Sequence, residues 1–173
     1  MLRINIFWDG PHTYHDILEL RDKTDYGLYQ MAGPNNALLY IGKANTETFR
    51  DRFKQADHSI WDFKKYPWED NTRLMRFFTG RIHAGSGWPS DDPDYAMWER
   101  AIDLAERLLI AAHGPPWNKQ FATGIPEKKA EDFDDCHVLN WGNYGLLLPE
   151  VSGVRHSWVE WNRVKDKPLK TTE

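Results

Sequence analysis

The sequence predicts an α+β fold, a sheet packed with helices in a single domain spanning all 173 residues. Three observations lead there. Short β-rich stretches recur at Leu2–Phe7, Tyr26–Met31, Ala37–Lys43 and within Arg73–His83. Apolar residues recur at helical spacing through Met97, Ala101, Leu104, Leu108 and Ala112. The order strand, strand, helix, strand, helix matches a layered sheet and helices rather than a bundle or a sandwich of strands.

Each element has a local reason. Leu2, Ile4 and Ile6 alternate with Arg3 and Asn5, and Gly10-Pro11 closes that strand. Tyr14–Leu20 reads as a short helix or an irregular arm. The turn formers Ala32–Asn36 join Tyr26–Met31 to Ala37–Lys43, which suggests an antiparallel hairpin. Asn45 or Thr46 can cap a helix running to about His58, with Glu47 in its dipole-favoured first turn. Phe49 and Phe53 share one face of it. Asp92-Pro93 opens the long helix, and Gly114-Pro115-Pro116 stops it near His113, itself a histidine suited to a helix C-terminus. His137–Trp141 and Tyr144–Leu148 flank Gly142-Asn143 as a second hairpin, and Gly153–Val164 reads as a last short helix.

Composition narrows the class. With 40% hydrophobic residues and nine tryptophans, the chain can build one main core. The formal charge of -4 is not that of a strongly basic nucleic-acid binder, so function must rest on local chemistry. Cys136 is the only cysteine, which rules out an internal disulfide and a thiolate zinc site. No apolar run approaches the roughly 18 residues of a membrane helix, and Met1–Asp9 is too short for a signal peptide. The expectation is a cytoplasmic protein with no membrane partner.

Four pieces stand out together: Gly27-Leu28-Tyr29, then Tyr40-Ile41-Gly42 followed by Lys43, then Arg52, then Glu106 leading through Leu109-Ile110 to Pro115 and Asn118. In this order, with this short gap between the tyrosine motifs, the chain resembles the GIY-YIG nuclease family over roughly residues 25–118. Leu28 stands where the first motif has Ile. The resemblance implies a three-stranded antiparallel sheet flanked by helices, here with an N-terminal addition and a C-terminal extension, residues 119–173. It also implies hydrolysis assisted by one divalent metal ion. Tyr29 and Tyr40 match the family's catalytic-face tyrosines, Arg52 its helix arginine, Glu106 its metal ligand and Asn118 its late asparagine. The gap from Gly42 to Arg52 is longer than in the repair members, which keeps Arg50 as the alternative.

The residue types suit phosphodiester hydrolysis. Glu106 offers one hard oxygen ligand, which suits Mg²⁺, or Mn²⁺, better than zinc. Arg52 can clamp a phosphate through its planar fork. Lys43 can add a point charge or orient a hydroxyl. Tyr29 is the general-base candidate, although a phenol pKa near ~10 requires a neighbouring cation for that role. Tyr40 can orient water or phosphate, and His58 can face phosphate or the leaving oxygen. Plainer readings stand beside these. The tyrosines can be ordinary strand aromatics, Arg52 a solvated helix residue, Asn118 a loop support, and Glu106 the partner of Arg73, Arg76 or Arg100.

The function expected is a metal-dependent DNA endonuclease of restriction, repair or mobile-element type. Its rivals are a catalytically silent nucleic-acid-binding or protein-interaction module, and a nuclease for RNA or branched DNA. A homodimer is one route to cutting both strands. The aromatic C-terminal extension, including Trp141, Tyr144, Trp158 and Trp161, is a candidate for DNA contact or dimerisation.

Overall fold

Six strands and three helices arise from these local patterns in a computed structural model that describes residues 2–20, 26–55, 75–82, 95–119 and 136–153. The strands are β1 (Leu2–His12), β2 (Gly27–Ala32), β3 (Leu38–Ala44), β4 (Arg76–Ile82), β5 (Cys136–Gly142) and β6 (Glu150–Ser152). The helices are α1 (Tyr14–Glu19), α2 (Phe49–Lys54) and α3 (Tyr95–His113). They form one mixed sheet in the order β3-β2-β4-β1-β5-β6. Residues 25–118 supply the adjacent antiparallel trio β3-β2-β4. β1 joins that trio antiparallel through β4, and β5 pairs with β1 in parallel, so the C-terminal part is built into the sheet.

Alternation along each strand divides the side chains between two cores. On one face Ile4, Ile6, Trp8, Leu28, Ile41 and Val138 pack against α3. On the other, Tyr29, Met31, Phe77 and Leu39 pack against α1 and α2 through Ile17, Phe49 and Phe53. β2 sits inside the sheet and is buried along its whole length.

Several local expectations shift. β1 continues through Gly10-Pro11 to His12, with its register against β4 breaking between Asp9 and His12. α1 is a true helix because Thr13 caps it in a reciprocal capping box with Asp16. α2 begins later than Asn45 or Thr46 predict. Thr48 is its cap, accepting the Asp51 N–H at 3.1 Å, so Asp51 rather than Glu47 occupies the first turn. The core face of α3 is wider than the expected stripe: Ala101, Leu104 and Leu108 are buried as expected, Trp98, Ile102, Ala105 and Leu109 are buried beside them, and Met97 is 58% exposed. The second hairpin is wider than Gly142-Asn143 suggests. Tyr144–Leu148 is its loop, held down because the Gln30 side chain donates to the Tyr144 carbonyl and accepts from the Leu146 N–H. The expected helix at Gly153–Val164 and the Asp92-Pro93 start lie essentially outside the described residues, as do Trp158 and Trp161.

Candidate active site

The tyrosine pair follows from strand register. Tyr29 stands opposite Gly42, and Tyr40 opposite Met31, two residues along the same face. The two phenol rings therefore meet on one side of the sheet, with centroids 5.9 Å apart. Phe53 of α2 packs edge-on to Tyr29 at 5.1 Å, so Tyr29 is fully buried while Tyr40 stays partly open. The glycines of both motifs have spatial reasons. A Cβ on Gly42 would stand 2.6 Å from the Tyr29 Oη and from the Tyr40 ring, so only glycine leaves room for the pair. Gly27 has φ +149° and would place a Cβ 2.0 Å from the Gly80 carbonyl oxygen across the strands.

Arg52 is delivered by α2, whose Phe49 and Phe53 anchor the helix in the core. One guanidinium nitrogen, Nη1, donates to Glu47 at 3.1 Å and to Gln55 at 3.0 Å. Its Nε is buried without a hydrogen-bond partner among the described residues. Burial drives the Tyr29 phenol far above the usual phenol range; the neighbouring Tyr40 and Glu106 push the same way, and Arg52 draws it back down. Burial and then Glu106 raise Tyr40, while the Tyr29 hydroxyl and Arg52 lower it. The tyrosines thus sense Arg52, while Arg50, like Arg52, has a buried Nε without a hydrogen-bond partner among the described residues.

Glu106 approaches from the opposite layer. α3 packs along the edge strand β3, and Glu106 lies between the buried Ile102 and Leu109 with only 18% of its side chain exposed. Among the described residues its cation is Lys43, with Nζ 3.4 Å from Oε2, rather than Arg76 or Arg100; Arg73 lies outside the described residues. Lys43 also bonds the Asp103 carboxylate, and Arg107 bonds the other Asp103 oxygen at 2.5 Å. Burial raises the Glu106 carboxyl, and Lys43 only partly offsets this. Burial alone would lower Lys43, but Asp103 and Glu106 outweigh it and hold the ammonium above its ordinary value.

Asn118 acts on the backbone. Its side-chain carbonyl accepts the Ile41 N–H at 2.9 Å, and its amide donates to the Ile41 carbonyl at 2.7 Å. With the Trp117 N–H donating to the Leu39 carbonyl at 3.0 Å, the chain leaving α3 completes the free edge of β3. This fixes Ile41, the centre of the Tyr40-Ile41-Gly42 motif, from outside. Asn118 is therefore a positioning residue in this arrangement.

Compared with known protein families, curated proteins and solved structures, the chain matches none.

Of the residues singled out from sequence, Tyr29, Tyr40 and Arg52 lie on the α1 and α2 side of the sheet, Lys43 and Glu106 pair on the α3 side with Glu106 raising both phenols, and Asn118 braces Ile41 between Tyr40 and Gly42. His58 lies outside the described residues. Sequence reasoning missed Asp103 and Glu47 as counter-ions. Asp103 was legible in principle, because it precedes Glu106 by one helical turn beside the apolar stripe. Glu47 was not, since its pairing depends on where α2 begins. A divalent cation held by one protein carboxylate and waters suits Glu106, whose buried charge is incompletely neutralised. Among the described residues no group of three or more His, Cys, Asp or Glu side chains could hold a metal, so the remaining ligands would be water and substrate oxygens. No helix among the described residues is long and apolar enough to cross a membrane.

Proposed function

We propose that the chain is a divalent-metal-dependent endonuclease that hydrolyses DNA phosphodiester bonds, built as a GIY-YIG-like nuclease. The observation that supports this reading is two phenols stacked beside the Arg52 guanidinium at the edge of the sheet, with the buried Glu106 carboxylate on the α3 side near enough to raise both phenols. Arg52 binds a phosphate oxygen through its guanidinium, which Glu47, Gln55 and the buried Tyr29 phenol hold in place. Tyr40, the more open phenol, relays the proton of the attacking water, passing its own hydroxyl proton toward the leaving oxygen or solvent as it accepts the water's. Tyr29, fully buried, serves as its positioning partner, which moves the base assignment from the inner tyrosine to the outer one. Burial and Glu106 raise the Tyr40 phenol more than the Tyr29 hydroxyl and Arg52 lower it, so it acts by relay rather than as a standing phenolate. Glu106 would hold Mg²⁺ or Mn²⁺, which would supply a Lewis acid for the charge developing on the phosphate. Lys43 holds Glu106 before the metal arrives.

A second reading, a silent nucleic-acid-binding module on the same fold, is favoured by the ion pair that Lys43 already makes with Glu106. Incubation of supercoiled plasmid, single-stranded DNA and structured RNA with Mg²⁺, Mn²⁺ or EDTA separates the two. The expected result is metal-dependent DNA cleavage, abolished by EDTA and Glu106→Ala and reduced on the order of a hundred-fold or more in Tyr40→Phe. Binding without cleavage under every metal condition would favour the silent module, and full activity in Glu106→Ala would remove the metal role.

A further inference from the structure

One ammonium serves two carboxylates at the seam between β3 and α3, and it serves them unequally. Alternation places Lys43 on the same face of β3 as Ile41, which is packed in the α3 core. Asp103 and Glu106 are three residues apart on α3 and so share the helix face that meets it. Lys43 Nζ donates to Asp103 Oδ1 but stands 3.4 Å from Glu106 Oε2, beyond the ~2.7–2.9 Å of a charge-assisted bond. This order is the reverse of what burial asks for. Glu106 has 18% of its side chain exposed against 32% for Asp103, so it loses more by lacking a close cation. Asp103 keeps the ammonium because it is itself fixed. Arg107, one helical turn on, donates to its other oxygen at 2.5 Å.

We propose that Asp103 is a positioning residue that holds the Lys43 ammonium back from Glu106 and so keeps that carboxylate open to a divalent cation. This rests on the metal role of Glu106 in the nuclease reading above, and adds the residue that sets the affinity of that site. Each oxygen of Asp103 already accepts from a cation, Oδ1 from Lys43 and Oδ2 from Arg107, so Asp103 itself is not an open ligand. Its effect passes through Lys43. The lysine stem is long and flexible, and without Asp103 the ammonium closes on Glu106. A divalent ion must then displace a full ion pair in a largely buried setting, where such a pair is costly to break. With Asp103 in place only the long contact is given up, and Lys43 keeps a carboxylate partner when Glu106 changes its own.

Titration with Mn²⁺ alone, followed by the electron paramagnetic resonance of the free ion, tests this without nucleic acid or cleavage. Asp103→Asn should bind Mn²⁺ roughly five-fold or more weakly than wild type, and Asp103→Glu, which keeps the charge, should recover most of the loss. A carboxylate near the ion also helps by its charge alone, and Lys43→Met separates the two effects. In the Lys43→Met background, Asp103→Asn should leave Mn²⁺ affinity unchanged. The same loss in both backgrounds would overturn the proposal, as would equal affinity in wild type and Asp103→Asn. A metal-free measurement stands beside it. Urea midpoints of Lys43→Met, Glu106→Gln and their double variant should reveal stronger coupling between the two residues when Asp103 is replaced by Asn. Coupling that stays the same would overturn the proposal even if metal affinity fell. Absence of Mn²⁺ binding in wild type would remove the metal role of Glu106 and this proposal with it. Otherwise the two readings fail apart: Asp103-dependent Mn²⁺ binding without DNA cleavage would remove only the nuclease, and metal-dependent cleavage with Asp103-independent affinity only the role of Asp103.

Discussion

Gly42 lies directly under the phenol of Tyr29, so close that a single methyl group at Gly42 would stand 2.6 Å from both Cζ and Oη of the tyrosine. The motif glycine is thus a steric requirement of the tyrosine one strand away. Gly42→Ala is expected to lower stability by about 1–3 kcal/mol, because neither the Tyr29 ring nor β3 can move freely inside the sheet. Urea unfolding measures it. In a double-mutant cycle, Tyr29→Leu should recover part of the loss by shortening the side chain above Gly42. Strict additivity of the two changes would mean that the ring is not what Gly42 accommodates.

Asn118 satisfies both main-chain groups of Ile41 at a strand edge. Removing it leaves a buried N–H and C=O without partners, so Asn118→Ala should cost about 2 kcal/mol. Asn118→Asp should cost at least as much, since a carboxylate cannot donate to the Ile41 carbonyl. Equilibrium denaturation of the two variants checks this ranking; an Asp variant as stable as wild type would contradict the clamp.

Glu106 gives a pH dependence of definite sign. Burial raises its folded value above the 4.5 of the unfolded chain. The folded protein therefore holds that proton more tightly, and the contribution is full below pH 4.5 and lost as pH rises through the folded value. Glu106→Gln removes this effect, so the stability of wild type relative to the variant should fall as pH rises above 4.5 in metal-free buffer. Parallel denaturation profiles for the two proteins across that range would refute it.

His113 carries the opposite dependence. Its Nδ1 meets the Leu109 carbonyl at 2.7 Å and its Nε2 accepts the Leu148 N–H at 2.8 Å, so the ring is neutral with the proton on Nδ1. The dipole-favoured cation expected from its place at a helix end is not formed, because burial lowers its pKa and Nε2 serves as an acceptor. Its stabilisation is full above the unfolded value of 6.5 and declines as pH falls from there toward the folded value. Replacing it by Ala should lower stability at pH 8 and flatten the profile as pH falls below 6.5. A variant that keeps the wild-type acid slope would place the titration elsewhere.

The sequence by itself determined the paired tyrosine strands, the common face of Phe49 and Phe53, the stop of α3 at Gly114-Pro115, and the position of Glu106 beside an apolar stripe. Alternation and helical periodicity are local, and they survive without knowledge of partners. Only the tertiary structure decided that Lys43 neutralises Glu106, that Asn118 closes the edge of β3, and that β5 returns to run parallel to β1 beside Phe7. These depend on register and layer order between segments far apart in the chain. A one-residue slip reverses the face of every side chain in a strand, and no periodicity within one segment records which slip the packed cores select.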